Sequence, residues 1–256
     1  MSILKGLSDR MERLGSLVQF AFKAARTLVS SRPDLREWIR QGYLLGNRSL
    51  GLVAVTAFIV GLVLTVQSRP TLAMFGAEGW LPSMVAISII KEIGPVITAL
   101  VCAGKIGSGI GAEVASMKVS EQIDAMDVSG INPHAYIVVP RMMAATLVVP
   151  VLVLLGDAAS IVGSYVGMVM TAPIDPSLFI TQAFENLEFS DLLPAVAKTV
   201  VFGLYIGLIG THCGFESEPG PSGVAKATNR SVVTGIFGVF LIDLFFVNLT
   251  NLIFGS

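Results

Sequence analysis

Five ionisable residues stand inside stretches that are otherwise apolar. Lys91 and Glu92 interrupt Trp80–Gly104, Asp157 lies in Met142–Ala172, Lys198 in Leu192–His212 and Asp243 in Ser231–Phe254. A charge in hydrocarbon is costly unless it pairs or faces water, so each marks a candidate binding or relay position. For Asp157 and Asp243, ion pairs that fix helix packing are the favoured reading. Lys91, Glu92 and Lys198 are expected to line or neighbour a polar pocket in an apolar cavity. Pro95, one turn after Lys91, predicts a kink with a freed backbone carbonyl. Glu92 follows Trp80 by about 12 residues and Lys198 is about six into its stretch, a depth difference of roughly 9 Å at 1.5 Å per residue. That spacing predicts separate contacts for the two charges rather than a direct ion pair.

Other chemistries find no support. Gly104-Lys105-Ile106-Gly107-Ser108 lacks the order of a phosphate-binding loop and sits at a helix end. His134 and His212 are isolated and read as loop or helix-end residues. Cys102 and Cys213 read as small buried apolar residues, with no partner motif for a disulfide or a zinc site. Gly104, Gly107, Gly109 and Gly111 fit close helix packing in a membrane. No nucleophile is paired with a base, so neither catalysis, a cofactor nor a metal is expected. The net charge of −1 suggests no nucleic-acid partner.

The elements that carry these residues are membrane helices. The 256 residues are 53% hydrophobic and 14% charged, with mean hydropathy +0.76, against about 25% charged in soluble domains. Ser49–Ser68 is uncharged between Arg48 and Arg69 and is the clearest span, followed by a turn through Pro70, Gly76 and Gly79. With the four stretches above, the fold class is an all-α integral membrane protein with about five transmembrane helices. Two segments are expected: 1–48, a charged N-terminal cytoplasmic or interfacial helical part, and 49–256, the five-helix membrane domain. In the first, Ile3, Leu7, Met11, Leu14, Val18, Ala21 and Ala25 form one helical stripe. That pattern fits an amphipathic helix on the membrane surface or one packed on its own bundle. A second short piece, Asp34–Gln41, follows Pro33. Residues 173–191 read as a loop with four acids and no base, and 213–230 as a flexible loop.

Lysine and arginine set the orientation. With the N-terminus in the cytoplasm, fourteen fall in cytoplasmic segments and one, Arg69, outside. The linker between the second and third spans holds a short acidic helix, about Ser120–Val128. Ile123, Met126 and Asp127 share a face, and Gly130 with Asn132-Pro133 stops it. Such a helix could dock into a groove of a soluble partner or lie solvated.

The text Lys91-Glu-Ile-Gly-Pro-Val-Ile-Thr-Ala-Leu, Ala103-Gly-Lys-Ile-Gly-Ser and Ala112-Glu-Val-Ala-Ser-Met-Lys-Val-Ser-Glu-Gln-Ile-Asp-Ala-Met-Asp-Val resembles the signature of MlaE (YrbE-type) permeases. Gly130-Ile-Asn-Pro, Ala197-Lys-Thr-Val-Val-Phe and Gly223-Val-Ala-Lys-Ala-Thr-Asn-Arg-Ser continue it, so that it covers roughly residues 45–250. The family often has Arg where Lys91 and Lys105 stand. The resemblance implies the permease subunit of an ATP-binding-cassette phospholipid transporter in a bacterial inner membrane. Its partners would be a second copy, a cytoplasmic ATPase, a periplasmic MCE-domain hexamer and, in some systems, a STAS-domain protein. Ser120, Glu121, Ile123, Asp124, Met126 and Asp127 would couple to the ATPase, with Ile123 and Met126 inserted in its groove. Lys91, Glu92 and Lys198 would belong to the lipid cavity. The alternative is a proton-coupled secondary transporter using Glu92 or Asp157, though repeats and broken paired helices are not evident.

The topology is testable. A reporter active only in the cytoplasm should be silent when fused at Ser256 and active in the Glu216–Gly223 loop; the reverse pattern would overturn the orientation or the number of spans.

Overall fold

The computed structural model describes residues 2–30, 35–170 and 174–254, and among these it is helical with no strand. Helix α1 (Ser2–Ser30) precedes α2 (Leu35–Met74). At 40 residues α2 is ~60 Å long, about twice a bilayer's hydrocarbon thickness. It runs unbroken across residue 48, where the sequence reading placed a boundary: the charges stop there and the helix does not. Gln41 is therefore part of α2 rather than of a separate short piece, while Pro33 and Asp34 lie outside the described residues. Pro70, expected in a turn, stands inside α2; the chain reverses only after Met74.

The second span is one rod, Glu78–Val119, with two interruptions. It comprises a 3-10 turn, α3 (Leu81–Ser88), a π turn at Ile89–Ile93, α4 (Gly94–Cys102), a second π turn at Ala103–Gly107, and α5 (Ser108–Val119). Then come α6 (Gln122–Val128), a π turn at His134–Val138 and α7 (Val139–Val169). The acidic loop contains a helix, α8 (Pro176–Phe184), that the sequence reading left as loop. Its Phe179 and Ala183 pack on Ala86, and Asn186 Nδ2 donates to Ser83 Oγ at 3.0 Å. Helices α9 (Phe189–Phe215) and α10 (Pro221–Phe254) complete the bundle.

Five of these helical rods are long and apolar enough to cross a membrane, which makes the chain a multi-pass, all-α membrane protein. The α2 rod packs on α7, α7 on α9, and α9 on α10, with α4 and α5 wedged against that row. The central core holds Val53, Ile106, Ile110, Val149, Phe202 and Ile206. Cys102 and Cys213 are buried free thiols. The second span delivers the chain to α6, and the α9–α10 turn lies at that same end; α8 lies at the opposite end.

Helix α1 packs on the α6 end. Ala24 and Thr27 are buried, and the Phe20 ring lies 5.1 Å from both His134 and His212. Those histidines are thus buried at helix ends, His134 opening the π turn before α7 and His212 in the last turn of α9. The packed face, with Phe20, Ala24 and Leu28, is rotated away from the expected stripe: Val18 is exposed. The side chains of Ile3, Leu7, Met11 and Leu14 lie outside the described residues. At this end Glu216 accepts from Arg230 Nη2 at 2.8 Å. Burial pushes the Glu216 carboxyl up, but a hydrogen bond from Ser16 and the neighbouring His212 and Arg230 hold it below its ordinary value.

The tightest helix contact is between α2 and α7. A Cβ added at Gly61 would overlap the Ser160 carbonyl, and one at Gly163 the Phe58 carbonyl. This proximity lets Ser160 Oγ donate to the Ala57 carbonyl at 2.8 Å, and Thr65 Oγ1 to Ser164 Oγ at 2.7 Å. Small residues permit this approach, and polar side chains then bond across it. Of the four central glycines singled out above, Gly107 and Gly111 face Ser231 of α10, whereas Gly104 and Gly109 face open space.

Gly61→Val should destabilise the bundle by about 3 kcal/mol, the upper end of ordinary overpacking. Gly51→Val, on the same helix but facing open space, should change little. Thermal unfolding in detergent compares the two; equal midpoints would refute the close α2–α7 contact.

Candidate functional site

Three helices meet at one ammonium group. Lys198 Nζ donates to Glu92 Oε2 at 2.6 Å and to Asp243 Oδ1 at 3.0 Å. The Lys198 side chain is 4% exposed, Asp243 16% and Glu92 43%, so the cation is enclosed and the Glu92 carboxylate opens outward. The expected separation of Glu92 from Lys198 is therefore wrong, and the helix starts explain part of it. Helix α9 begins at Phe189, not Leu192, so Lys198 is nine residues in. Counted likewise from the observed start of its rod at Glu78, Glu92 is about 14 residues in, so the depth difference falls to about five residues, or ~7.5 Å, and the reach of the lysine and glutamate side chains closes the rest.

The π turn Ile89–Ile93 does the remaining positioning. Gly94 N–H bonds back to the Ile89 carbonyl, five residues earlier. Such a turn holds more residues than an α turn, so successive side chains are separated by a smaller angle. Lys91 and Glu92, adjacent in sequence, consequently line the same cavity. Lys91 Nζ reaches Asp191 Oδ1 at 2.8 Å. Asp191 also accepts the Glu188 N–H in the capping box that starts α9, which ties Lys91 to the first turn of that helix.

The cavity has a volume of about 510 Å³, within the range of small-molecule pockets. Lys91, Glu92, Asp191 and Lys198 line one side, and Phe246, Val247, Thr250 and Asn251 of α10 the other. Sequence reasoning left Asp243 among the undecided intramembrane charges and counted Asp191 as a loop acid. The available signal was charge balance: a lysine deep in an apolar helix calls for a carboxylate on a neighbour.

Asp157 does not join this network. It is buried on α7 against Gly94, with no hydrogen-bond partner on Oδ1, beside a void of about 10 Å³ between Pro95, Pro150 and Thr199. No group of His, Cys, Asp and Glu among the described residues has the arrangement of a metal site.

The linker helix departs from expectation on one face. Ile123 is 3% exposed and sits in the chain's own core, with Met126 half-buried against it. Ile123 does not project outward as expected, because its apolar face closes the end of this bundle instead, and Met126 is partly covered there. Ser120 Oγ donates to the Ser116 carbonyl at 2.7 Å, Asp124 accepts from Lys118 Nζ at 2.6 Å, and Glu121 and Asp127 are exposed. Val128 is 91% exposed, flanked by the exposed Ile131 and Tyr136. Gly130 terminates the helix at φ 77°, with Ile131 N–H bonded to the Met126 carbonyl at 2.9 Å and Gly130 N–H to Asp127 at 3.1 Å; this left-handed stop is one that glycine adopts readily. The buried Arg141 guanidinium at the start of α7 bonds Glu113 Oε1 at 2.8 Å, closing the linker's two ends.

Five apolar helices define a multi-pass membrane protein, and three of its rods, the second span, α9 and α10, line a charged cavity. The sequence model described as Permease MlaE matches residues 38–249. A probable ABC transporter permease protein of Rickettsia typhi is 35% identical over 87% of this chain and 86% of its own length. Proteins with the same description from Pyropia yezoensis (33% identity, 93% and 90% of the two chains) and Synechocystis (31%, 85% and 83%) are also similar. The chain belongs to the MlaE permease family.

Removing the shared cation should matter more than removing either anion. Lys198→Met leaves Glu92 and Asp243 facing each other and should cost about 3 kcal/mol, as for breaking a buried pair. Adding Asp243→Asn to Lys198→Met should recover part of the loss. Melting temperatures of the singles and the double decide; a Lys198→Met as stable as the parent would refute the network.

Proposed function

We propose that this chain is the membrane permease subunit of an ATP-driven phospholipid transport system that moves lipid between inner and outer membranes. It lies in the inner membrane with its N-terminus in the cytoplasm and its C-terminus in the periplasm, as the Lys/Arg distribution favours. The observation that carries the reading is the cavity of about 510 Å³: it has one ion-networked side and an uncharged side where Phe246 and Val247 stand with Thr250 and Asn251, which suits an amphiphile whose headgroup must be held within the bilayer. Lys91, Glu92 and Lys198, with Asp243, are the residues we assign to lipid. The chain itself carries no catalytic group in this reading.

The relatives are described as ABC transporter permeases, which supports a separate cytoplasmic ATPase. The exposed side of the linker helix, Glu121, Asp124, Asp127 and above all Val128, is the surface we assign to it; Ser120, Ile123 and Met126 hold that surface in place. The family further suggests a homodimer, a periplasmic MCE-domain hexamer and, in some systems, a STAS-domain protein. A proton-coupled carrier is the second reading, favoured by the unpartnered oxygen of Asp157. Its void has room for about one water and not for a solute.

Purification of the full-length chain from its native membrane tests the proposal. The parent should bring down an ATPase and bound phospholipid. Val128→Asp should reduce ATPase recovery at least tenfold, about 1.4 kcal/mol, and leave the lipid in place. A parent that retains neither, or transport driven by a pH gradient without ATP, would overturn the reading.

A further inference from the structure

The charges around the cavity are unequal. Lys91 and Lys198 face Glu92, Asp191 and Glu188 on the wall, and Asp243 just behind it. Lys198 is enclosed and already donates to two carboxylates. Lys91 is half-exposed and holds Asp191. Glu92 gives one oxygen to Lys198 while its side chain remains 43% exposed toward the cavity. One ammonium between two carboxylates leaves the Lys198 cluster one negative charge in excess, at a depth where water screens little. Phe246, half-buried on α10, lines the same space, and an aromatic ring beside carboxylates is a setting that attracts a substituted ammonium.

The π turn adds a spatial match. Lys91 and Glu92 are consecutive, with Cα atoms ~3.8 Å apart, and both line the cavity. An adjacent cation and anion opposite a ligand complement a zwitterion whose own phosphate and ammonium are joined by a short linker. Both zwitterionic and anionic phospholipids offer the phosphate. Only the zwitterionic ones also offer a second cation to Glu92 and Asp243, which share Lys198 between them.

We infer that the cavity selects phospholipids whose headgroup carries an ammonium, with the phosphate at Lys91 and the ammonium at Glu92 beside Phe246. The inference rests on the lipid-permease reading and names its substrate class. Anionic phospholipids without an ammonium, phosphatidylglycerol among them, are disfavoured because they bring a net negative charge to a wall whose carboxylates outnumber its lysines and offer Glu92 no counter-charge.

The test uses the full-length chain in nanodiscs of phosphatidylethanolamine, phosphatidylcholine and phosphatidylglycerol in equal parts. It is then extracted in mild detergent and its retained lipid weighed by native mass spectrometry. The ammonium lipids should be enriched over phosphatidylglycerol by roughly tenfold, a small part of what one unscreened charge allows at short range. In Glu92→Gln and in Asp243→Asn the enrichment should fall toward parity while lipid is still retained; melting curves identify any variant that does not fold, and the parent measurement stands without them. Equal retention of all three lipids by the parent overturns the inference and leaves the lipid reading intact. No retained lipid overturns both. Loss of the enrichment on adding millimolar choline or ethanolamine, with lipid displaced, assigns the site to a soluble amine and overturns the inference.

Discussion

The bundle turns on a single buried ammonium. Lys198 is drawn from α9, and its two carboxylates come from the π turn of the second span and from α10. The helices α9 and α10 follow one another in the chain, but Glu92 lies 106 residues from Lys198 and Asp243 lies 45 from it. Desolvating a lysine in a membrane interior is costly, and only a good geometry with further hydrogen bonds offsets it. Here the offset is a pair of contacts of 2.6 and 3.0 Å from separate directions, which fixes three helices to one point. The excess negative charge that remains is what makes the cavity beside it chemically particular.

Around that point the molecule has a tight side and an open side. Helices α2 and α7 approach through Gly61, Gly163 and the serine and threonine bonds between them. On the far side, α10 shows Phe237, Phe240, Leu244 and Phe245 outward, and the cavity forms where α9 and α10 diverge from the second span. Close packing on one side gives a rigid reference against which the open side can hold, or release, a ligand without dismantling the core.

The second span connects the cavity to the linker. Glu92 sits in its first π turn, Lys105 in its second, and α5 then leads to α6 through a turn at Ser120 and Glu121, the latter at φ 59°. Burial of Ile123, the Lys118–Asp124 pair and the Arg141–Glu113 pair hold α6 against the end of the bundle rather than as a loose loop. The second span is thus the element that joins the cavity wall to this linker. The π turns are the places where that element is least tightly wound, as such turns are at many functional sites.

Much of this was legible from residue order. Apolar runs of span length, the few charges inside them, the Gly130 stop and the family text of the second span and its linker all act locally, through the cost of unsatisfied backbone and charge in hydrocarbon. What residue order could not supply was angle and register. The true start of α9 three residues earlier, the π turn that turns Lys91 and Glu92 to one side, and the face on which Ile123 lies all depend on which neighbours are within reach. Hence Glu92 and Lys198 looked too far apart, Asp243 had no assigned partner, and Ile123 was read as outward. Composition and periodicity determined that five helices enter the membrane carrying these charges; the tertiary structure alone decided which charges meet, because an ion pair is set by distances of a few ångströms between helices far apart in sequence.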